Sequence, residues 1–394
     1  MQTTPRPTRP PIRTTEAGET VAAWCASLVA GRAPGPLGAV SRSVALEVLG
    51  SRGVAGLAWA AVQRGDALVD DVTAAQLEST YAFQAVQGGE FLEAARGLRS
   101  TLAGAGIPSL VFKGAAMIRR GFWTSGERRL SDIDLLVHPE DAQYAVELLS
   151  RQGMVPWVPW DSDRLGWASA FTLSRPSSTP ALTVTVDLHW SSLYGRLRTR
   201  PTNEPDPLWD RADLEAGLPS DEAQFVMTAD HVFKHLHFMT HVAGVADLVC
   251  LLPHLTNADA LLEDARRRRI EHRIPRLMDV LHQALSLPEA AFDSLPAALR
   301  PTHRSIPAEV SHDSRLFLDL AERERGNGLR LRWSMGVNPA RDLADTLWPE
   351  GAWLRARYGS MGFDLTRRAR HVARMVAWLV GRGVSPLAPN QGFE

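Results

Sequence analysis

Residues 131–137, Ser-Asp-Ile-Asp-Leu-Leu-Val, set two carboxylates into a run that is otherwise aliphatic. In an extended strand side chains alternate faces with period two, so Asp132 and Asp134 point one way and Ile133, Leu135 and Val137 the other. The aliphatic face calls for a core behind the strand. The acidic face calls for a cation in front of it, because adjacent carboxylates repel and raise one another's pKa. A hard divalent ion with oxygen ligands, Mg²⁺ above all, is the natural occupant.

A second strand pattern lies at 183–190, Thr-Val-Thr-Val-Asp-Leu-His-Trp. Thr185, Asp187 and His189 share one face, and Val184, Val186 and Leu188 the other. Asp187 can complete a site of three carboxylates, and His189 reads first as a hydrogen-bonding partner of an acid, with general base or substrate contact as the other role. Upstream, residues 110–117 (LVFKGAAM) read as strand, sharp turn and helix, with Lys113 and Gly114 at the turn. Amides at a helix start and one ammonium then face the same crevice, which is a phosphate-binding arrangement. Lys113 and Lys234 are the only lysines among 43 basic residues, and a compact ammonium suits a phosphate oxygen in a tight turn better than a guanidinium. Arg128 and Arg129, just before the acidic strand, can clamp phosphate with their planar forks; the alternative is an ion pair with Glu127 or a solvated loop.

Around this unit the periodicity is helical. Apolar residues recur at helical spacing through Thr20–Ala30, Ser41–Gln63 and Thr73–Leu102, the last with Thr73 as its N-cap. Beyond the strands, helices are expected over Asp221–His241, Val242–Leu255, Ala258–Arg269, Arg273–Leu285 and Asp364–Val380. The expected class is α+β: a disordered tail over 1–18, a helical region over 19–104, a small mixed-sheet core over 105–200, and a helical region over 201–394.

Composition narrows the function classes. With 43 Lys+Arg against 44 Asp+Glu the chain is nearly neutral, at −1, which leaves no cationic excess for nonspecific nucleic-acid binding. No segment has the length and apolarity of a membrane span, and the Pro- and Arg-bearing start has no signal-peptide core. Cys25 and Cys250 form no metal-ligand or disulfide pattern, so a cytoplasmic setting is expected and zinc is not. His231 and His235 stand at i, i+4, with His237 and His241 near, but HExxH is absent and they read as packing contacts. Trp157, Trp160 and Trp167 can line an acceptor or base pocket, with ordinary core use as the default, and the Arg-bearing helix near 367–379 reads as packing on the helical region.

At the stretches FKGAAMIRRGFW, RRLSDIDLLVHPEDAQYAVELLSRQGM and VDLHW the chain resembles the nucleotidyltransferases of the DNA polymerase beta superfamily, and more closely the bacterial family usually labelled uncharacterised nucleotidyltransferase. Weaker likeness runs through HVFKHLHF, ADLVCLL and TLWPEGAWLRARYG, so that it covers roughly 75–360. The resemblance implies that 105–200 is the nucleotidyltransferase core. It makes Asp132 and Asp134 ligands of nucleotide-bound Mg²⁺ and Asp187 the third carboxylate, which helps to activate the acceptor. Lys113 and Gly114 would line the triphosphate, with Arg128 and Arg129 beside them. The wider superfamily has Gly-Ser at the turn, where this chain has Lys113-Gly114-Ala115, the form of the closer family.

The implied activity is transfer of a nucleoside monophosphate from an NTP, ATP first, to a hydroxyl of a peptide or small molecule, since relatives tailor bacterial peptide natural products. Two alternatives are phosphoryl transfer to such an acceptor, and a protein that binds nucleotide or peptide without chemistry.

Overall fold

The computed structural model describes residues 16–37, 42–51, 53–157, 170–180, 182–192, 206–234, 242–268, 270–303 and a few positions between 366 and 373. Trp160, Trp167, His235, His237, His241 and most of the C-terminal basic helix lie outside them.

The N-terminal region is helical, with α1 (Glu16–Val29), α2 (Arg42–Ser51), α3 (Ala55–Arg64) and α4 (Asp71–Gly104). Helix α1 opens inside the stretch expected to be tail. The single helical run anticipated over 41–63 is two helices, because Gly53 adopts φ 71° between them, a left-handed turn that glycine takes without strain. A minimal parallel pair, β1 (Gly35–Pro36) and β2 (Ala67–Leu68), accompanies the helices. The cap of α4 is Asp70, not Thr73: the Asp70 carboxylate accepts from the amides of Val72 and Thr73, and the Thr73 hydroxyl donates to it at 2.7 Å. Three donors on one carboxylate outbid what a threonine hydroxyl offers, and with Arg42 they hold its pKa down, at about 2.

At 34 residues α4 is about 50 Å long and serves two cores. Its first turns bury Leu77 with α1, α2, α3 and the C-terminal helices. Its last turns bury Phe91, Ala95, Leu98 and Leu102 behind the sheet.

The sheet has five strands: β3 (Leu110–Phe112), β4 (Ile133–Leu136), β5 (Val155–Pro156), β6 (Ala170–Pro176) and β7 (Thr183–His189). Their spatial order is β3, β4, β7, β6, β5, and only the β4–β7 pair is parallel. Helix α5 (Lys113–Arg119) follows β3, and α6 (Ala142–Arg151) follows β4 after a 3₁₀ turn at Pro139–Asp141. Pro156 sits on the edge strand, where its missing N–H breaks no ladder. One face of the sheet is largely apolar: Val111, Ile133, Leu135, Val186, Leu188 and Phe171 pack there with α4 and α6. The other face is covered in part by α7 (Asp221–Lys234), whose Ala223 and Met227 meet Leu110, Phe112 and Leu136. Helices α8 (Val242–Leu251), α9 (Ala258–Arg267) and α10 (Ile274–Ala284) complete the large helical core.

The architecture is α+β, a mixed sheet among helices. No single helix among the described residues is long and apolar enough to cross a membrane; α2 and α3 reach that length only as a pair, bent by 116°.

Candidate functional site

The acidic face of the sheet forms by register. Asp134 pairs with Asp187 across the parallel β4–β7 ladder, Phe112 pairs with Asp134 on one side, and Thr172 with Asp187 on the other. One row therefore runs Phe112, Asp134, Asp187, Thr172, with His189 one pleat further along β7. The ligand atoms of Asp134, Asp187 and His189 all lie within 4.8 Å of one another.

Asp134 and His189 are both buried, at 4% and 3% exposure. Asp134 Oδ1 receives the Lys113 ammonium at 2.5 Å and faces His189 Nε2 at 2.9 Å. Burial pushes this carboxyl up, but the Lys113 charge and the His189 contact outweigh it and hold the pKa at about 2. The His189 ring meets Phe112 edge-on at 4.9 Å, which fixes its plane. Asp187 is half-buried and accepts the Thr172 hydroxyl at 2.6 Å.

Asp132 stands just before β4, whose pairing begins at Ile133, and is outside the 4.8 Å group. It is nevertheless electrostatically tied to that group. Burial first, then the charges of Asp134 and Asp187, push its pKa up to about 6, against the opposing pull of Lys113 and a hydrogen bond from Ser131.

Lys113 adopts φ 54°, a left-handed conformation that L side chains rarely take. Gln224 on α7, fully buried, secures it by both backbone groups: the Lys113 amide donates to Gln224 Oε1 at 3.2 Å, and Gln224 Nε2 donates back to the Lys113 carbonyl at 3.4 Å. Strain of this kind persists only where neighbours over-determine it, and here it aims the ammonium at Asp134. At Gly114 a Cβ would come within 2.9 Å of Leu130 Cδ2 and 3.2 Å of Arg128 Nη2, so a larger residue there would have to displace the tips of those two side chains.

Arg128 makes neither the Glu127 pair nor a solvated loop. Asp247 on α8, 2% exposed, takes its fork through contacts of 2.9–3.2 Å, and Trp123 Nε1 donates to the same carboxylate at 2.9 Å. Burial disfavours the Arg128 charge, but Asp247, helped by Asp132 and Asp134, raises its pKa overall. Glu127 instead accepts from the Thr124 amide at 2.8 Å, and Arg129 is exposed. His231 is half-buried on α7, and Trp157 is 65% exposed on the sheet edge, its indole donating to Ser174.

Gln224, Thr172 and Asp247 are the polar supports that the sequence reading did not assign to the site. A glutamine on a helix more than 100 residues away carries no local sign of its contact with Lys113. The Thr172 contact follows once β6 is paired with β7 in register. Asp247 shows in the sequence only as an acid inside the apolar stretch 245–252.

A carboxylate pair on neighbouring parallel strands, an ammonium fixed on one member and a half-open sheet face define a protein able to gather cations and anions at one point. The chain belongs to the family described as uncharacterised nucleotidyltransferase, whose model matches residues 41–286. It is thus a nucleotidyltransferase by family, and the match takes in the whole five-stranded sheet and the helices from α2 to α10. No curated protein and no solved structure matches the chain.

Proposed function

We propose that the protein transfers a nucleoside monophosphate from an NTP, ATP first, to a hydroxyl of a peptide or small-molecule acceptor, in the polymerase-beta manner. The observation that carries this reading is the in-register pair Asp134–Asp187 with ligand atoms inside 4.8 Å, a spacing that one small divalent ion can span. The donor set fits Mg²⁺ through its carboxylates. Asp134 and Asp187 would hold it with Asp132, and His189 would orient Asp134 from the side. Lys113 and His189 both meet Asp134 Oδ1, which leaves Oδ2 to an ion. Bound there, Mg²⁺ would neutralise polyphosphate charge and lower the pKa of an acceptor hydroxyl.

The chain's own groups carry the rest. Lys113, swung from Asp134 to a phosphate oxygen, supplies positive charge where charge develops as the bond to the leaving pyrophosphate breaks. Arg128, fixed by Asp247, presents a permanent cation beside Gly114, while exposed Arg129 is free to turn toward the triphosphate. Asp187, the outer carboxylate of the pair, would help to activate the acceptor hydroxyl, while Asp132 shares the ion with Asp134. The near-neutral chain favours a small acceptor over a polynucleotide, tailoring of a peptide natural product fits that choice, and a cytoplasmic setting goes with it.

The test is incubation with Mg²⁺, candidate acceptors and ATP labelled at the α- or the γ-phosphate. Transfer of α-label with release of pyrophosphate is expected; transfer of γ-label would replace the reading with a kinase-like one. Lys113→Arg is expected to bind NTP but turn over about tenfold more slowly or worse, because a planar fork cannot reproduce a point charge at so tight a turn.

A further inference from the structure

A second set of ligand-type side chains converges away from the sheet, beyond the end of α10. His282 in the last turn of α10, Glu289 in the 3₁₀ turn Glu289–Phe292, and His303 offer ligand atoms all within 4.8 Å of one another. His282 Nε2 lies 3.7 Å and His303 Nδ1 3.5 Å from Glu289 Oε1. These gaps exceed the ~2.8 Å of a charge-assisted hydrogen bond. They are close to the roughly 3.4 Å that separates two ligands of a tetrahedral ion with bonds of about 2.1 Å.

Two details set the donors in place. His282 Nδ1 lies 2.7 Å from the Leu287 carbonyl, which can only accept, so Nδ1 carries the proton and Nε2 turns its lone pair toward Glu289. A ligating imidazole is commonly held by such a carbonyl on its other nitrogen. His303 adopts φ 55°, and Asp279, fully buried, fixes it there: Oδ1 accepts from the amides of Thr302 at 2.7 Å and His303 at 2.8 Å, and Oδ2 pairs with Arg276 at 2.9 Å. A non-glycine residue held in the left-handed region by a buried carboxylate is a positioned residue.

We propose that His282, Glu289 and His303 form a transition-metal site, with Zn²⁺ as the fitting ion. Two imidazoles and one carboxylate suit Zn²⁺, and they do not suit Mg²⁺ or Ca²⁺, which take shells of oxygen. The side chains are 27%, 65% and 56% exposed, so a fourth position opens to water or to a further ligand. The ion would staple the end of α10, whose Leu277 and Leu281 lie in the large core, to the backbone at Thr302 and His303. Glu289 and His303 fall beyond residue 286, where the family match stops, and this site is independent of the proposed transfer reaction.

The experiment uses the full chain, stripped with a chelator and titrated with Zn²⁺ by calorimetry and with Co²⁺ by visible absorption. An Asp134→Asn/Asp187→Asn background silences the sheet cluster. That background is expected to bind one equivalent and to gain thermal stability on binding. Adding Glu289→Ala or His303→Ala should weaken binding about tenfold or more and erase the gain. Glu289 is exposed, so its variant reports binding without loss of fold. If the background variant does not fold, Glu289→Ala and His303→Ala in the native chain should each take up one equivalent less than wild type. Equal affinity and stoichiometry with and without Glu289 and His303, or no binding in a folded background, would overturn the proposal.

Discussion

The two faces of the five-stranded sheet are built from the same strands by alternate residues, and they differ in almost every physical respect. One face, with Ile133, Leu135, Val186 and Leu188, is sealed by α4 and α6. The other gathers Asp134, Asp187 and His189 and is only partly covered by α7. The sealed face supplies the stability that lets the open one keep like charges together. Such charges are tolerated because Lys113 and Arg128 are fixed beside them, each by a partner on another helix: Gln224 on α7 and Asp247 on α8.

Substitution on either face should separate these roles. The largest expected effect is on the open face: Asp134→Asn or Asp187→Asn should cut pyrophosphate release by about 10²–10³-fold or more, measured with labelled ATP on protein shown to be folded. Arg128→Ala should cost about 3–5 kcal/mol in urea unfolding, because it leaves Asp247 charged and buried without its partner; Arg128→Met with Asp247→Leu should recover much of that loss. On the sealed face, Leu135→Ala should cost about 2–5 kcal/mol, while activity per folded molecule falls far less than in the aspartate variants. A large drop in turnover at unchanged stability for Leu135→Ala would erase the distinction between the faces.

The smallest effect is a dependence on pH in which Asp132 and Asp134 have opposite signs. Asp134 has a folded pKa of about 2, below its ordinary 3.8, so its stabilising contribution is present above 3.8 and is lost as pH falls through 2. Asp132 has a folded pKa of about 6, so the fold bears the cost of ionising it above pH 6 and is relieved of that cost as pH falls toward 3.8. With chelator present, Asp132→Asn should therefore be more stable than wild type at pH 7 and equal to it near pH 4.

The alternation of Ile133, Leu135 and Val137 with acids, and of Val184, Val186 and Leu188 with Asp187 and His189, was enough to place the strands and both their faces. Period-two burial is a local property, and it survives folding. What had no local signature was helix-to-turn contact: the Gln224 clamp on Lys113 and the Asp247 grip on Arg128 each join residues more than 100 positions apart. The break at Gly53 and the Asp70 cap turned on single residues inside strong helical periodicity, where pattern alone cannot choose a boundary. The edge strand at 155–156 is too short to alternate at all. His282, Glu289 and His303 follow no ligand spacing, because their meeting depends on a backbone turn that Asp279 holds from within.

Helix α4 carries one more consequence. Since Leu77 belongs to one core and Phe91 through Leu102 to the other, the helical region and the sheet share a single beam. A chain cut at residue 105 would leave Val111, Leu135 and Val186 with α6 as their remaining helical cover and the α4 side of that wall open, prone to stick to any exposed partner. The sheet is therefore not a transplantable module. Heating should melt it together with the N-terminal helices in one transition.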